Sequence, residues 1–165
     1  MIYLKNDYQH LSFELQRSLH AVDGYLCLEM PEEAMEELNK MGIKDQFEIA
    51  ALRARIRVLL HMKRWKDPEV LSEKGASLHP DENEFTVQRA FALHQLKRGK
   101  EAAGVLLSAP EWIRQTGILH YNLGCYEARL GDLGMARKCI KAALELNSDF
   151  KKNVRNDPDL QRLWS

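Results

Sequence analysis

Apolar and small residues recur along most of the chain at helical spacing, and the pattern is clearest between residues 117 and 150. Ala136, Ile140 and Ala143 follow one another at steps of four and three, which places them on one face of a helix. A second amphipathic stretch precedes them, and Gly131 followed by an aspartate interrupts the pattern between the two stretches. The pattern therefore predicts a hairpin of two amphipathic helices joined by a tight turn.

The same arrangement recurs when the chain is compared with itself at steps of 34 residues. Small residues predominate at one position of the hairpin, and apolar or small residues fill two others. One departure is Gly75, a residue that weakens a helix, in the second helix of the second unit. The positions equivalent to Ala136 are Ala102, Pro68 and Ala34; those equivalent to Leu130 are Leu96, Met62 and Leu28; those equivalent to Gly124 are Ala90, Ile56 and Val22.

A helical hairpin repeated with this constant period resembles the tetratricopeptide repeat. The resemblance implies an all-α fold, a right-handed superhelix of antiparallel helix pairs without a sheet, in a single domain over residues 1–165. The four tandem repeats are predicted at residues 15–48, 49–82, 83–116 and 117–150.

The two ends of a repeat array need covering, because an end unit has no neighbour to bury its apolar face. Residues 7–14 are predicted to extend the first helix, and residues 151–165 to supply a cap that includes a C-terminal capping helix. In that cap, a polar linker over 151–156 precedes a short helix that begins at Asp157. The remaining predicted helices span Asp7–Glu29, Pro31–Met41, Gln46–Met62, Pro68–Leu78, Asn83–Lys97, Lys100–Leu107, Glu111–Leu130 and Leu133–Leu146.

Composition narrows the function classes further. The 24 basic and 24 acidic residues give a formal net charge of zero, which argues against a nucleic-acid binder. No apolar run suits a signal peptide or a membrane span. The three cysteines, Cys27, Cys125 and Cys139, form an odd number without a pairing pattern. We therefore expect a reduced, cytoplasmic setting without membrane association.

Motifs that would indicate catalysis, a metal or a cofactor are missing from the sequence. It contains no CxxC, HExxH, GxxxxGK[ST], GxGxxG or GxSxG pattern. We interpret Cys125 and Cys139 as small thiols that fill the core rather than as ligands or a redox pair. No cofactor and no enzymatic activity are expected, since solenoids offer extended surfaces rather than closed, dry pockets.

The tetratricopeptide resemblance implies a binding groove lined by the first helix of each repeat. It mixes guanidinium, amide and aromatic groups, which suit carboxylates and extended backbone. The alternative is that these are ordinary solvated residues on a helix face. The predicted groove residues are Arg53, Arg57, His61, Gln88, Phe91, Gln95, Tyr121, Asn122 and Arg129, within a wider set that includes Asp23, Glu84, His94 and Cys125.

Arg53 and Arg57 are predicted to be the strongest anchors of that groove. They lie four residues apart in one helix, so both guanidiniums project from the same face and repel each other slightly. A ligand carboxylate would relieve that repulsion. The alternative is internal neutralisation by Asp23 on the preceding repeat or Glu84 on the following one.

The predicted function is a non-catalytic protein–protein interaction scaffold or adaptor. Its partner would be a protein or peptide segment that is acidic or carries a free carboxylate. One alternative is a self-associating structural module, a homodimer formed through Trp65, Trp112 or Trp164. Another is a heat-shock co-chaperone-like adaptor. Adaptors of that subfamily bind the free C-terminal carboxylate of chaperone tails through a clamp of lysine and asparagine, and the lysines of the clamp are not matched here.

Overall fold

A computed structural model describes residues 8–164, which contain ten α-helices, two 3-10 helices and no strand. These residues form two compact units that divide between Leu71 and Ser72, within α4. The 3-10 helices are Asp45–Phe47 and Pro158–Leu163. The α-helices are α1 (Phe13–Cys27), α2 (Pro31–Asn39), α3 (Ile49–His61), α4 (Lys66–Leu78), α5 (Asn83–Gln95), α6 (Gly99–Leu107), α7 (Glu111–Arg114), α8 (Gly117–Leu130), α9 (Leu133–Leu146) and α10 (Phe150–Asn156).

The first unit is built on a seam of apolar residues along α1. Leu15, Leu19, Val22 and Leu26 recur at steps of four, three and four, and all are buried. The seam packs against buried residues of α2 and α3, and Tyr8 closes the same cluster. The helical spacing in the sequence thus becomes the core of this unit.

The N-terminal part of the predicted first helix is wrong. The prediction began at Asp7, which lies outside the described residues, but the helix begins at Phe13. Ser12 is extended and its hydroxyl accepts a hydrogen bond from the Leu15 amide at 3.4 Å, so it caps the helix there. The chain leaves the helix near Glu29, whose φ of 58° lies in the left-handed region.

The α8–α9 hairpin of the second unit follows the predicted plan. Gly131 takes a φ of 96° at the turn, and Asp132 caps α9 by accepting from the Met135 amide at 2.8 Å. A Cβ on Gly124 would lie 2.7 Å from Cδ1 of Ile140, so the glycine allows the two helices to approach closely. The predicted bounds of α9 are confirmed.

Gly75, the unexpected glycine of the second predicted repeat, has a packing role in the second unit. A Cβ at this position would lie 2.6 Å from Cδ1 of Phe85 and 2.8 Å from Cγ and Cε1 of the same ring. The Phe85 ring is completely buried. The glycine therefore makes room for an aromatic side chain of α5.

Three other helix predictions need correction. The helix predicted over Gln46–Met62 is interrupted because Glu48 is extended, so α3 begins only at Ile49. The helix predicted over Glu111–Leu130 is divided at Thr116, which is extended and whose hydroxyl donates to the Ile113 carbonyl at 2.7 Å. The predicted polar linker over residues 151–156 is part of α10, which buries Phe150 and Val154, four residues apart, as an apolar face.

Candidate peptide-binding surface

In the first unit, the predicted groove residues Arg53, Arg57 and His61 all lie on α3. The Arg57 guanidinium is largely buried, with 11% of its side chain exposed, and is 2.5 Å from Oδ1 of Asp23. The Tyr8 hydroxyl donates to the other Asp23 oxygen at 3.0 Å. This geometry favours internal neutralisation of Arg57 by Asp23. The predicted ligand role of Arg53 and Arg57 stays a prediction.

Burial and neighbouring charges shift the pKa values of Arg57 and Tyr8, which form a cluster with Asp23. Burial opposes the charge on Arg57, but Asp23 and Tyr8 outweigh it and raise the pKa of the guanidinium. Burial, with a contribution from Asp23, raises the pKa of Tyr8 to about 12, so the phenol stays a donor. Burial and the nearby Arg57 charge lower the pKa of His61. The cluster is therefore a stable Arg–Asp pair beside a neutral phenol.

In the second unit, the predicted amides are engaged locally. Gln88 is buried and donates to Oε1 of Glu84 at 2.8 Å, one turn earlier in α5. Asn122 donates to the carbonyl of Ile118 at 2.8 Å, within α8. Phe91 and Gln95, also predicted groove residues, are partly buried on α5.

Other members of the predicted groove set converge on a later part of the chain. We call His94, Tyr121, Cys125 and Arg129 the α5–α8 surface, after the two helices that carry them. They contact residues Asp157–Leu163, called here the acidic segment. Its two aspartates accept hydrogen bonds from Tyr121 to Oδ2 of Asp157 at 2.6 Å, from His94 Nε2 to Oδ2 of Asp159 at 2.8 Å, and from Arg129 Nη1 to Oδ1 of Asp159 at 2.9 Å.

The conformation of the acidic segment follows from its own residues. Asp157 is extended, precedes a proline, and caps the 3-10 helix by accepting from the Asp159 amide at 2.8 Å. Residues three apart in a 3-10 helix lie on the same side, and Leu160 and Leu163 are both buried. The segment thus buries two leucines while its aspartates contact the α5–α8 surface.

The pKa values of Asp159 in the acidic segment and of Tyr121 and Cys125 on the α5–α8 surface are shifted in opposite directions. Burial would raise the pKa of Asp159, but the hydrogen bonds from His94 and Arg129 outweigh it and hold that pKa below its ordinary value. Burial, together with Asp157, raises the pKa values of Tyr121 and Cys125 far above their ordinary values. The phenol and the thiol therefore stay protonated and can donate hydrogen bonds to the side-chain oxygens of Asp157.

Comparisons with known proteins agree with this architecture. Residues 117–150, which form α8, α9 and their turn, match the tetratricopeptide repeat family. The chain is similar to the solved structure of MamA 41-end from Desulfovibrio magneticus RS-1, with a TM-score of 0.69 and 18% identity over 93% of this chain and 90% of that one. Residues 117–150 are thus similar to one tetratricopeptide repeat, and the chain shares the helical fold of the MamA structure.

A second solved structure, the ArsTM double mutant of MamA RS-1, is similar to this chain with a TM-score of 0.68 and 18% identity. That match covers 90% of this chain and 88% of the other. No curated protein sequence matches the chain. The predicted all-α helical-repeat fold is confirmed, whereas the count of four repeats stays a prediction.

The aspartates that contact the α5–α8 surface were not among the residues predicted to form the site. Asp157 was predicted only as the start of a short helix, and Asp159 had no predicted role. The available signal was an Asp-Pro-Asp-Leu sequence next to an array whose predicted groove carries arginine and histidine. Charge complementarity between this sequence and the groove is the physical signal that connects the two.

Other candidate chemistry is limited in the part of the chain that the structure describes. Cys125 and Cys139 are buried free thiols, whereas Cys27 is exposed. Residues 8–164 contain no group of three or more histidine, cysteine or acidic side chains arranged to hold a metal ion. Within the same range, no helix combines the length and apolar character needed to cross a membrane.

Proposed function

We propose that this protein is a non-catalytic interaction scaffold that binds a peptide or protein segment through the first helices of its repeats. One observation carries the proposal. The α5–α8 surface, made of predicted groove residues, contacts a polypeptide segment through side-chain hydrogen bonds as well as apolar burial. Tetratricopeptide arrays typically use such surfaces for binding.

The chemistry of the buried thiols and phenols supports the non-catalytic part of the proposal. A nucleophilic cysteine needs a lowered pKa, because the thiolate is the reactive form. Burial and nearby carboxylates raise the pKa values of Cys125 and Cys139 instead. Burial likewise raises the pKa of Tyr126. These groups suit packing and hydrogen-bond donation better than catalysis.

The proposed groove chemistry favours an acidic partner. In the second unit, Arg129 and His94 supply cationic or imidazole donors, and in the first unit Arg53 supplies a guanidinium. A guanidinium can bind a carboxylate through two parallel hydrogen bonds. Phe91 and Gln95 add an aromatic surface and an amide on α5. The pairing of Arg57 with Asp23 makes Arg53 the better candidate of the two arginines for contact with a ligand.

The proposal is tested by screening the full chain against an array of diverse peptides and measuring the affinity of those that bind. Gln95→Ala and Arg53→Ala are the groove variants, and Lys138→Ala on α9 is the matched control, because Lys138 is exposed outside the predicted groove. We expect the groove variants to weaken binding while the control leaves it unchanged. Equal binding by all three variants would contradict a groove-based scaffold.

Self-association is a second candidate function, because two tryptophans of the second unit are exposed. Trp112 is 45% exposed and Trp164 is 61% exposed, and aromatic residues are enriched in protein interfaces. Trp65, the third tryptophan, is partly buried. Light scattering of the purified chain tests this function: a dimer that Trp112→Ala or Trp164→Ala dissociates would support it, and a monomer at all concentrations would exclude it.

A further inference from the structure

We infer that the α5–α8 surface is a binding site for an acidic segment of a partner protein with the pattern Asp-x-Asp-Leu-x-x-Leu, and that the chain's own acidic segment occupies this site as an intramolecular competitor. The inference rests on the proposed scaffold function and deepens it. It names the chemistry of the ligand and the event that must precede binding.

The contacts of the acidic segment exceed what an end cap requires. Covering the apolar end of a repeat array needs only apolar residues, which Leu160 and Leu163 provide. The structure adds hydrogen bonds to both oxygens of Asp159, from His94 and from Arg129. Burying ionised groups costs free energy unless they are paired, so these aspartates point to recognition of a specific sequence.

The receptor side is also a built site. The His94 side chain is only 6% exposed, and its ring stacks on Tyr126 with the two centroids 4.4 Å apart. The Tyr121 ring stacks on Phe150 with the centroids 5.1 Å apart. Because packing holds both rings, the imidazole and the phenol are oriented before any carboxylate arrives, which lowers the entropic cost of binding.

The ligand side lies within one short stretch of sequence. Both aspartates and both leucines fall within residues 157–163, and Asp157 caps the helical turn that presents them. A linear segment of another protein can therefore carry every contact. Recognition of this kind needs no second folded domain on the partner.

The tethered segment sets the threshold for an incoming ligand. A covalently linked segment acts at an effective concentration on the order of millimolar. A free peptide with the same contacts must exceed that concentration to displace it. Weakening the tethered copy should therefore strengthen binding of the free copy, whereas a purely structural cap predicts no such gain.

The test is a fluorescence anisotropy titration of a labelled synthetic peptide with the sequence of residues 156–164. The receptors are the full-length wild-type chain and the full-length variant Asp157→Asn with Asp159→Asn, called the double-Asn variant. Asparagine keeps the side-chain shape and is itself a good helix cap, so the substitutions remove charge with little change in packing. A peptide with both aspartates replaced by asparagine is the control ligand.

We expect the acidic peptide to bind the double-Asn variant at least about tenfold more tightly than wild type, because the intramolecular competitor is weakened. Adding Arg129→Ala to that variant should abolish the gain, and adding Lys138→Ala should preserve it. A folded double-Asn variant that fails to bind the acidic peptide, or binds both peptides equally, would overturn the inference.

A second measurement covers the case in which the double-Asn variant does not fold. The wild-type chain is then titrated with the acidic peptide up to about 10 mM, above the effective concentration of the tether, and followed by amide NMR. Shifts confined to His94, Tyr121, Arg129 and the acidic segment are expected. Unchanged spectra at that concentration would refute the inference.

Two further outcomes separate this inference from its alternatives. A dimer that the double-Asn substitutions abolish in light scattering would assign the surface to a second copy and overturn the assignment to a partner protein. Groove-dependent binding of array peptides without a preference for acidic sequences would refute this inference while leaving the scaffold proposal intact. Loss of both kinds of binding would contradict the scaffold proposal itself.

Discussion

Replacement of Gly75 by alanine adds one methyl group and tests the close contact between α4 and the Phe85 ring in the second unit. The added Cβ would lie 2.6 to 2.8 Å from three atoms of the Phe85 ring. Carbon atoms make favourable contact at about 3.5–4.0 Å, so the ring or the helix must move. The ring is fully buried and cannot swing into solvent. We therefore expect the substitution to destabilise the protein.

The size of the effect follows from two opposing contributions. Alanine stabilises a helix interior by about 0.5–1 kcal/mol relative to glycine. Overpacking a buried site costs about 1–3 kcal/mol. Gly104 in α6 is the matched control, because a Cβ there has nothing within 4 Å. The same substitution should stabilise at Gly104, and the two variants should differ by about 1–3 kcal/mol, the overpacking cost alone.

The assay is urea unfolding followed by circular dichroism at fixed pH, with the free energy of unfolding extrapolated for each variant. Phe85→Leu in the Gly75→Ala background completes a double-mutant cycle, and the smaller side chain should recover part of the loss. Equal stabilisation by Gly75→Ala and Gly104→Ala would refute the contact between Gly75 and Phe85. The absence of coupling in the cycle would refute it independently.

Four further predictions test other parts of the structure. Ala136→Leu should cost about 1–3 kcal/mol, because Ala136 is fully buried in the α8–α9 hairpin; an unchanged melting temperature would contradict the helix register. Asp23→Ala should cost about 1–3 kcal/mol, since it leaves the largely buried Arg57 charge unpaired; thermal melts that coincide with wild type would refute that role. Burial would raise the pKa of Asp159, but its hydrogen bonds lower that pKa in the folded state. The carboxylate therefore stabilises the fold above an ordinary carboxyl pKa of about 4, and this contribution is lost as the pH falls through the pKa of the folded state. Asp159→Asn should flatten the decline in the free energy of unfolding measured between about pH 6 and pH 2. In the native protein a thiol reagent should modify Cys27 quickly and the two buried cysteines only on unfolding; three equally fast thiols would contradict the burial.

The sequence predicted hairpins well where local signals coincide with the repeat. Asp132 caps α9 and Gly131 forms the turn before it, so the bounds of this helix were correct. Prediction failed where one side chain overrides a long apolar pattern. Ser12 starts α1 late, and Thr116 divides the stretch over residues 111–130, because each competes locally for backbone hydrogen bonds.

The candidate site was predicted only in part, for a different physical reason. The repeat register placed His94, Tyr121 and Arg129 among the groove residues, and the structure brings them together. Helical periodicity predicts which residues share a face but gives no information about a segment that returns 30 to 65 residues later to cover it. Asp157 and Asp159 therefore had to be found in three dimensions.

Recognition of a polypeptide segment by the first helices of the repeats can be observed directly. The most direct measurement is a crystal structure of the full-length double-Asn variant grown with the acidic peptide of residues 156–164. We expect the peptide aspartates to be hydrogen-bonded to His94, Tyr121 and Arg129, with the chain's own segment displaced. A peptide bound elsewhere, or a tethered segment that retains its place beside an excess of peptide, would contradict it.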